Sequence, residues 1–321
     1  MTRDLVTVIG GSGFIGRYVV RLLAQQHVRI RVAVRHPNQG LFLKPMGSVG
    51  QIQLTAANVR HPDSIARAVD GAGVVINLPG ILYESGHQDF ESVQAEGPGV
   101  VARAAAAAGV GRLVHVSAIG ADADSESDYA RTKAQGEYAL RAAFPSATIL
   151  RPSIVFGPED DFFNRFAAMT RMPMPLPLIG GGKTRFQPVY VCDVAQAIVI
   201  AALEGKGLGE TFELGGPRVY SFREILELVL AQTHRDKMMM PLPFGLAKII
   251  GGLCQTLFAL SPWNPPLTID QVELLKHDNV VTSDRTLRDF GIDPTPAESV
   301  VGSYLQRFRK QGQFNKPAEA I

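Results

Sequence analysis

Tyr129 and Lys133 are the residues of this sequence whose types and spacing are best suited to chemistry. A tyrosine and a lysine four positions apart share one face of a helix, so the ammonium group can lower the pKa of the phenol and also hold a ribose. Ser117, at the end of a short β-branched segment, offers a hydroxyl that would steady a substrate oxygen. Together these residues predict general acid/base catalysis of carbonyl reduction or alcohol oxidation beside a hydride donor.

The same three residues also have an interpretation without catalysis. Tyr129 and Lys133 can be a pair on a helix surface in which the lysine only binds ribose. Ser117 can be a small residue at a strand end. The sequence is compatible with both interpretations, so it predicts a site without deciding between turnover and binding.

Three glycines at intervals of three residues follow the apolar segment LVTVI and precede a helical pattern. In a strand–turn–helix unit, the first glycine permits a tight turn, the second lets the backbone approach a pyrophosphate, and the third permits close helix packing. The N-terminus of the following helix then directs unpaired N–H groups and a positive dipole end toward the phosphates. This loop predicts a dinucleotide site lined by Gly10, Ser12, Gly13, Phe14, Ile15 and Gly16.

Two arginines indicate which dinucleotide this loop prefers. An acidic residue about 20 positions beyond the glycines would bind a ribose 2′-hydroxyl, but the second strand-like segment delivers Arg35 there instead. Arg17, directly after Gly16, adds a second guanidinium, and paired guanidiniums match the geometry of a phosphate. The prediction is therefore NADP(H) in preference to NAD(H), with an exposed charge of no binding role as the alternative for either arginine.

Two further segments fit a bound nucleotide, since ligands in such sheets lie at the carboxyl ends of strands. Asn58 and Val59 follow the third strand-like segment, where a polar side chain and a backbone N–H can meet adenine. Leu78 and Gly80 belong to the segment NLPG after the fourth, near the ribose. An ordinary strand-end turn explains NLPG equally well.

The elements that must position these residues are read from the alternation of β-branched segments with alanine-rich helical patterns. The strand candidates are LVTVI, RIRVAV, IQLT, GVVINL, RLVHVS and ATILRPSIVF. Such alternation predicts an α/β Rossmann fold, a doubly wound parallel sheet with helices on both faces. After about residue 157 the sequence becomes rich in Pro, Gly and Met, so we expect a nucleotide-binding domain over residues 1–157 and a smaller C-terminal lid or docking region over residues 158–321.

The motifs GGSGFIG, Ser117 and Y-x-x-x-K resemble the short-chain dehydrogenase/reductase superfamily. The segment GKTRFQPVYVCDVAQAI resembles the C-terminal region of its extended and atypical, epimerase/dehydratase-like branches. The segments YARTKAQGE, TILRPSIVFGPEDDFFNR and FELGGP are similar to those of the alpha-subcomplex subunit nine family of respiratory complex I (NADH:ubiquinone oxidoreductase) and its bacterial relatives. The resemblance extends from residue 5 to about residue 295.

Two functions follow from this resemblance. The subunit family implies a tightly bound NADPH that serves structure and assembly at complex I. The wider superfamily implies an active NADPH-dependent oxidoreductase or epimerase that acts on an apolar, quinone- or isoprenoid-like substrate or on a sugar. The resemblance also implies that segments around 186–200 complete the sheet and that Pro152 and Ile154 pass near the nicotinamide.

The sequence departs from the superfamily pattern at three positions. Ile9 stands where threonine is frequent, Asn58 where aspartate is usual, and Gln94 where a structural asparagine is common. The interval from Ser117 to Tyr129 is also shorter than in typical extended members. These departures favour nucleotide binding over catalysis.

Composition and charge narrow the partners further. The 321 residues carry 32 Lys+Arg against 30 Asp+Glu, which indicates neither a nucleic-acid surface nor an acidic tail. The two cysteines and seven histidines lack ligand spacing, so we expect no metal site and no disulfide. The N-terminal segment lacks a signal-peptide pattern, so we expect a cytoplasmic protein, either free or peripheral on the cytoplasmic face of the inner membrane.

The segment from Met238 to Leu260 bears most directly on partners. Its apolar positions cover more than one helical face, whereas a simple surface helix shows a single stripe. Prolines, Lys248 and Gln255 interrupt it, so it does not predict a transmembrane helix. Three interpretations stay open, namely a buried lid, a surface that docks another subunit, and a helix resting on a membrane; an exposed apolar patch would indicate docking.

Overall fold

The computed structural model describes residues 5–258, 267–310 and 312–314, and it divides into two compact units. The first unit consists of residues 1–152, 191–214 and 282–293, and the second of residues 153–190, 215–281 and 294–321. The boundary therefore falls at Pro152 instead of residue 157. The chain also returns twice to the first unit, which a single division into 1–157 and 158–321 does not capture.

Thirteen strands lie in the described part of the chain: β1 (Leu5–Ile9), β2 (Arg29–Val34), β3 (Ile52–Ala56), β4 (Val74–Asn77), β5 (Arg112–Val116), β6 (Thr148–Pro152), β7 (Val155–Phe156), β8 (Leu176–Ile179), β9 (Arg185–Phe186), β10 (Val189–Tyr190), β11 (Thr211–Leu214), β12 (Tyr220–Ser221) and β13 (Met239–Leu242). The α-helices in the same residues are α1 (Phe14–Gln25), α2 (Pro62–Val69), α3 (Glu96–Ala107), α4 (Asp128–Ala143), α5 (Phe162–Met169), α6 (Val191–Glu204), α7 (Phe222–Thr233), α8 (Phe244–Phe258), α9 (Ile269–Leu274) and α10 (Ala297–Leu305).

A seven-stranded sheet in the order β11-β6-β5-β4-β1-β2-β3 forms the centre of the first unit, and every neighbouring pair in it is parallel. The predicted doubly wound α/β fold is confirmed. The winding direction reverses between β1 and β4, and ligands of such sheets bind outside the carboxyl ends of the strands at that point. The seventh strand is β11, which comes later in the chain than the expected segment around 186–200; that segment supplies β9 and β10 and the start of α6 instead.

Alternate side chains of the strands pack helices on both faces of this sheet. Ile9 and Ala33 belong to a buried cluster that also contains residues of α2, α3 and α4. Val8 and Val32 point the other way, toward the start of α1, where a β-carbon on Gly11 would lie 2.8 Å from the Val32 side chain. Because both faces are covered, the strands are predominantly apolar, as parallel strands usually are.

Three two-stranded sheets, β7 with β10, β9 with β12 and β8 with β13, lie in the second unit. Its core is rich in phenylalanine, with Phe156, Phe163 and Phe222 fully buried. Helix α7 begins with a capping box in which Ser221 and Glu224 satisfy each other's backbone N–H groups. The segment SFREILELVLAQ therefore carries its own N-terminal helix cap.

The start of α5 is built around Asp160, which is almost fully buried. Its carboxylate accepts hydrogen bonds from the backbone N–H groups of Gly157 at 3.1 Å and Asn164 at 3.0 Å, and from the Tyr304 hydroxyl at 2.6 Å. Burial raises the pKa of this carboxyl, and the hydrogen bonds oppose that shift. In the acidic segment GPEDDFF, Asp160 therefore provides the contacts that stabilise the helix start.

Helix α8 turns most of its large side chains outward. Of its residues only Ala247 and Gly251 are buried. The exposed side chains, which we call the apolar face of α8, are Leu246, Ile249, Ile250, Leu253 and Leu257. Lys248 forms an ion pair at 2.5 Å with the buried Glu273, so the face carries little net charge. This exposure excludes a buried lid helix; Leu260, the end of the predicted segment, lies outside the described residues.

No helix within residues 5–258, 267–310 and 312–314 combines the length and hydropathy needed to cross a bilayer.

Candidate dinucleotide site

The glycine loop forms the turn between β1 and α1. Gly10 has φ +78°, a conformation that favours glycine, and a β-carbon at Gly16 would lie 2.6 Å from the Gly10 carbonyl oxygen. Gly13 is the N-cap of α1 and is exposed, and no side chain caps the helix there. The first turn of α1 carries no acidic residue. This helix N-terminus can therefore bind an anion through its backbone N–H groups.

The remaining loop residues take up positions around this turn. Ser12 is half-buried, and Phe14 begins α1 with its ring edge-on to Tyr18 at 6.2 Å between ring centroids. Ile15 is half-buried on the first turn. Arg17 lies one turn into the helix, where its Nε donates to the Gly13 carbonyl oxygen at 3.4 Å.

The end of β2 brings a second arginine to the same edge of the sheet. Arg35 is exposed and follows Val34, the last residue of β2, which is the neighbour of β1. The backbone N–H of Gly10 donates to the carbonyl oxygen of Ala33 at 2.9 Å, so the loop and the end of β2 are joined directly. Arg17 thus bonds to the loop itself, and Arg35 follows the strand end that is bonded to the loop.

The two predicted strand-end segments differ in what they offer. The side-chain oxygen of Asn58 accepts from the Arg60 N–H at 3.1 Å, so it closes a local turn, and Val59 is buried in the core. Leu78 continues β4 by donating its N–H to Ile9 at 3.1 Å. A β-carbon at Gly10 would lie 3.3 Å from the ring of Pro79, so the segment NLPG lies directly against the glycine loop.

Lys133 and Tyr129 lie on the same face of α4. The lysine is only 5 % exposed, and its Nζ lies 5.7 Å from the centroid of the Tyr129 ring. A β-carbon at Gly80 would lie 3.0 Å from the same Nζ, which places the lysine beside NLPG. Burial lowers the pKa of Lys133 to about 8, although the carboxylate of Glu137 acts in the opposite direction.

Glu137 has a stronger partner on the neighbouring strand. Arg151 on β6 donates to its two carboxylate oxygens at 2.8 Å and 2.7 Å, which is a bidentate pair. The carboxylate raises the pKa of the Arg151 side chain, against the effect of burial. This pair joins α4, the helix that carries Tyr129 and Lys133, to β6.

Ser117 follows β5 and is 4 % exposed. Its Oγ is buried and has no hydrogen-bond partner among the described residues, so it makes no bond to the Tyr129 hydroxyl. The structure therefore brings Tyr129 and Lys133 together but does not join Ser117 to them. The catalytic roles of all three residues stay predictions.

Sequence reasoning missed a buried polar pair beside Ser117. The Nδ1 atom of His115 and the Nδ2 atom of Asn77 lie 3.0 Å apart, across neighbouring strands. Burial and the positive charge of Lys133 lower the pKa of His115 to about 3. The histidine precedes Ser117 by two residues on a strand, so both side chains face the same side of the sheet, a signal that the sequence did contain.

Pro152 and Ile154, the two residues predicted near the nicotinamide, belong to different units. Pro152 ends β6, and its carbonyl oxygen accepts from the Ile119 N–H at 3.0 Å. Ile154 lies in the second unit, where its N–H donates to the Asn279 side chain at 3.2 Å and its carbonyl oxygen accepts from the Val189 N–H at 2.9 Å.

The residues of the first unit fit a dinucleotide. The exposed Gly13 and the uncapped start of α1 can receive a pyrophosphate, and Lys133 and NLPG lie at the ends of the central strands. The buried Oδ1 of Asn77 and Oγ of Ser117 lack partners among the described residues, which leaves hydrogen-bonding capacity at the same edge. No group of three or more potential metal ligands occurs in the part of the chain that the structure describes.

Residues 6–215 match the NAD dependent epimerase/dehydratase family. The chain belongs to this family. The family and its fold imply a nicotinamide dinucleotide as the cofactor. A solved structure of the same fold is the NADPH-dependent quinone oxidoreductase from Escherichia coli complexed with NADPH, with a TM-score of 0.72, 19% sequence identity, and coverage of 94% of this chain and 99% of that one.

Two relatives of this chain confirm the predicted resemblance to the alpha-subcomplex subunit nine family of complex I. The chain is 39% identical over 326 residues to NADH dehydrogenase [ubiquinone] 1 alpha subcomplex subunit 9 from Mus musculus mitochondria, covering 99% of this chain and 85% of the relative. It is 32% identical over 312 residues to the mitochondrial NADH-ubiquinone oxidoreductase 40 kDa subunit of Neurospora crassa, covering 97% of this chain and 81% of the relative. The likeness thus spans both units.

Proposed function

We propose that this protein is an accessory or assembly factor of respiratory complex I, in which bound NADP(H) stabilises the fold. The observation that carries this proposal is the likeness over nearly the whole chain to relatives that are themselves complex I subunits. A fold-level similarity to oxidoreductases extends to many unrelated functions, whereas this likeness includes the second unit as well.

The arrangement around Tyr129 supports a structural cofactor. A serine that steadies a substrate oxygen would lie opposite the phenol, but the Ser117 hydroxyl is buried without a bond to it. Lys133 is well placed to hold a ribose beside Gly80. A ligand present at 100 times its dissociation constant adds about 2.7 kcal/mol to the free energy of unfolding, which is a large fraction of the stability of a domain.

Arg17 and Arg35 support NADP(H) in preference to NAD(H). Arg17 bonds to the glycine loop, Arg35 follows the strand end that is bonded to that loop, and guanidiniums bind phosphate through paired N–H groups. A 2′-phosphate on the ribose would lie at this edge of the sheet.

The apolar face of α8 supports a subunit partner. Exposed contiguous apolar surface on a soluble unit is characteristic of docking sites. The face lacks the lysine-rich polar side that attaches amphipathic helices to anionic lipid, so we assign it to another subunit of complex I. That partner would hold the protein at the cytoplasmic face of the inner membrane.

One observation favours a second function, an NADPH-dependent oxidoreductase or epimerase. A buried lysine with a pKa of about 8, placed over the ring of a tyrosine four residues away, is the environment that activates a phenol for acid/base catalysis. Under this alternative, Tyr129→Phe abolishes turnover of a carbonyl substrate while nucleotide binding persists. Unchanged turnover in that variant would rule out the assigned role of Tyr129.

Mass spectrometry of the nucleotide that copurifies with the native protein, followed by exchange against labelled NADPH, tests the proposed function. We expect NADP(H) that exchanges slowly, as a structural cofactor does. Rapid exchange would contradict the structural role and favour the enzyme, whereas copurified NAD(H) would contradict the roles of Arg17 and Arg35.

A further inference from the structure

A large aromatic side chain, Phe42, lies next to the glycine loop. Phe42 is 43 % exposed although it is apolar, and the guanidinium of Arg17 lies over its ring, 5.2 Å from the centroid. It belongs to the 3-10 helical segment Pro37–Met46, which begins two residues after Arg35. The segment is thus close to Arg35 in sequence and contacts Arg17 through Phe42.

This segment is held firmly against the loop. Leu43 is fully buried, and Gly40 is buried where a β-carbon would lie 3.8 Å from the Ser12 side chain and 3.3 Å from Leu54. A β-carbon at this position would crowd the Leu54 side chain and would be in van der Waals contact with Ser12. Phe42 is thus presented from a fixed backbone, and its ring is a rigid surface for the arginine.

Stacking changes what Arg17 can do. An arginine side chain has many rotamers, and ordering it at the moment of binding costs affinity. A guanidinium that lies over a ring is already ordered, and its N–H groups point outward in its own plane, where a phosphate can accept from them. The Nε contact to Gly13 fixes the same side chain at a second point, next to the start of α1.

We propose that Phe42 is a positioning residue that orients Arg17 toward a phosphate monoester on the adenosine ribose and thereby sets the preference for NADP(H) over NAD(H). The proposal rests on the NADP(H) preference of the proposed function and names the residue that creates it. NADH has the same adenine and pyrophosphate but lacks the phosphate, so the contribution of Phe42 belongs to NADPH alone.

Titration of the nucleotide-free full-length protein with NADPH and with NADH, followed by ligand fluorescence, tests this proposal. We expect Phe42→Ala to weaken the binding of NADPH about two- to fivefold, the range of an exposed cation–π contact. The affinity for NADH should not change. Phe42→Tyr restores the wild-type ratio because the ring remains. Leu41→Ala, an equally exposed neighbour on the same segment, is the matched control and alters neither affinity.

A double-mutant cycle separates positioning from general packing. In an Arg17→Ala background, Phe42→Ala should have no further effect on NADPH, since the arginine it orients is absent. Where nucleotide resists removal, the ratio of copurified NADP(H) to NAD(H) in each variant replaces the titration. Circular dichroism of each variant confirms that the first unit is folded.

Four results overturn the proposal, and they differ in what else they overturn. Equal weakening of NADPH and NADH by Phe42→Ala assigns the ring to adenine packing. If Phe42→Ala weakens NADPH binding as much in the Arg17→Ala background as in the wild type, Phe42 does not act through the arginine. Equal affinity of the wild-type protein for both nucleotides removes the NADP(H) preference of the proposed function, whereas selectivity that depends on Arg17 but not on Phe42 removes the present inference alone.

Discussion

His115 makes the stability of the first unit depend on pH in a way that can be calculated. Its pKa is 6.5 in an unfolded chain and about 3 in the folded protein, because burial and the charge of Lys133 disfavour the imidazolium. Between these values the unfolded chain binds the proton and the folded chain does not. The stabilisation is therefore complete above pH 6.5 and is lost as the pH falls toward 3.

The loss in the free energy of unfolding follows from how far the pH lies below the pKa of the unfolded chain. One pKa unit corresponds to about 1.4 kcal/mol, so at pH 5 the folded state loses about 2 kcal/mol relative to pH 7 through this residue. Urea unfolding at both pH values measures the difference, and His115→Gln should lose about 2 kcal/mol less than the wild type on acidification. His277→Gln, which removes an exposed histidine, is the matched control and should lose as much as the wild type.

Comparing the loss on acidification between the wild type and each variant cancels the contribution of the carboxylates that also titrate in this range. A wild-type protein that loses no more stability than His115→Gln would show that the imidazole is exposed to water in solution, and the burial of His115 beside Asn77 would then be wrong.

Three further perturbations follow from the described contacts. Gly16→Ala places a β-carbon 2.6 Å from backbone atoms of the loop and should lower the free energy of unfolding by about 1–3 kcal/mol. Gly245→Ala, whose β-carbon would have no heavy atom within 4 Å, is the control and should not lower it. Equal urea midpoints for the two variants would contradict the loop geometry. Arg151→Met leaves Glu137 buried without its bidentate partner and should cost about 3 kcal/mol by the same measurement, so a change below 1 kcal/mol would mean that the pair is open to solvent. Leu253→Glu on the apolar face of α8 should change the free energy of unfolding by less than about 0.5 kcal/mol, because the side chain is 59 % exposed. The same variant should copurify with fewer complex I subunits. Full retention of those subunits would assign the face another role.

Much of the first unit could be predicted from the sequence because its elements are local. Five of the six predicted strands coincide with β1 to β5 within a residue or two, and the sixth contains β6 followed by β7. A strand covered on both faces is predominantly apolar, and a glycine loop after the first strand lets a dinucleotide approach the backbone. These constraints act within a few residues, where composition reveals them.

The features that escaped prediction depend on contacts between distant residues. β11 pairs with β6 across about sixty residues of sequence, so nothing near Thr211–Leu214 identifies it as the seventh strand. The Asn77–His115 pair arises because two strand ends become neighbours, and it looks like two unrelated polar residues until β4 and β5 are aligned. The exposure of α8 was equally hidden, since apolar composition alone does not distinguish a core helix from a docking helix.

The central claim is that the protein serves complex I through a bound nucleotide and not through turnover. The measurement that tests it most directly is the amount of assembled complex I in membranes of the source organism after deletion of this protein and complementation with variants. We expect Tyr129→Phe to restore complex I to the wild-type level and Gly13→Val, which places a branched side chain at the exposed start of α1, to fail. Restoration by Gly13→Val, or a complex I level that is independent of the protein, would contradict the account.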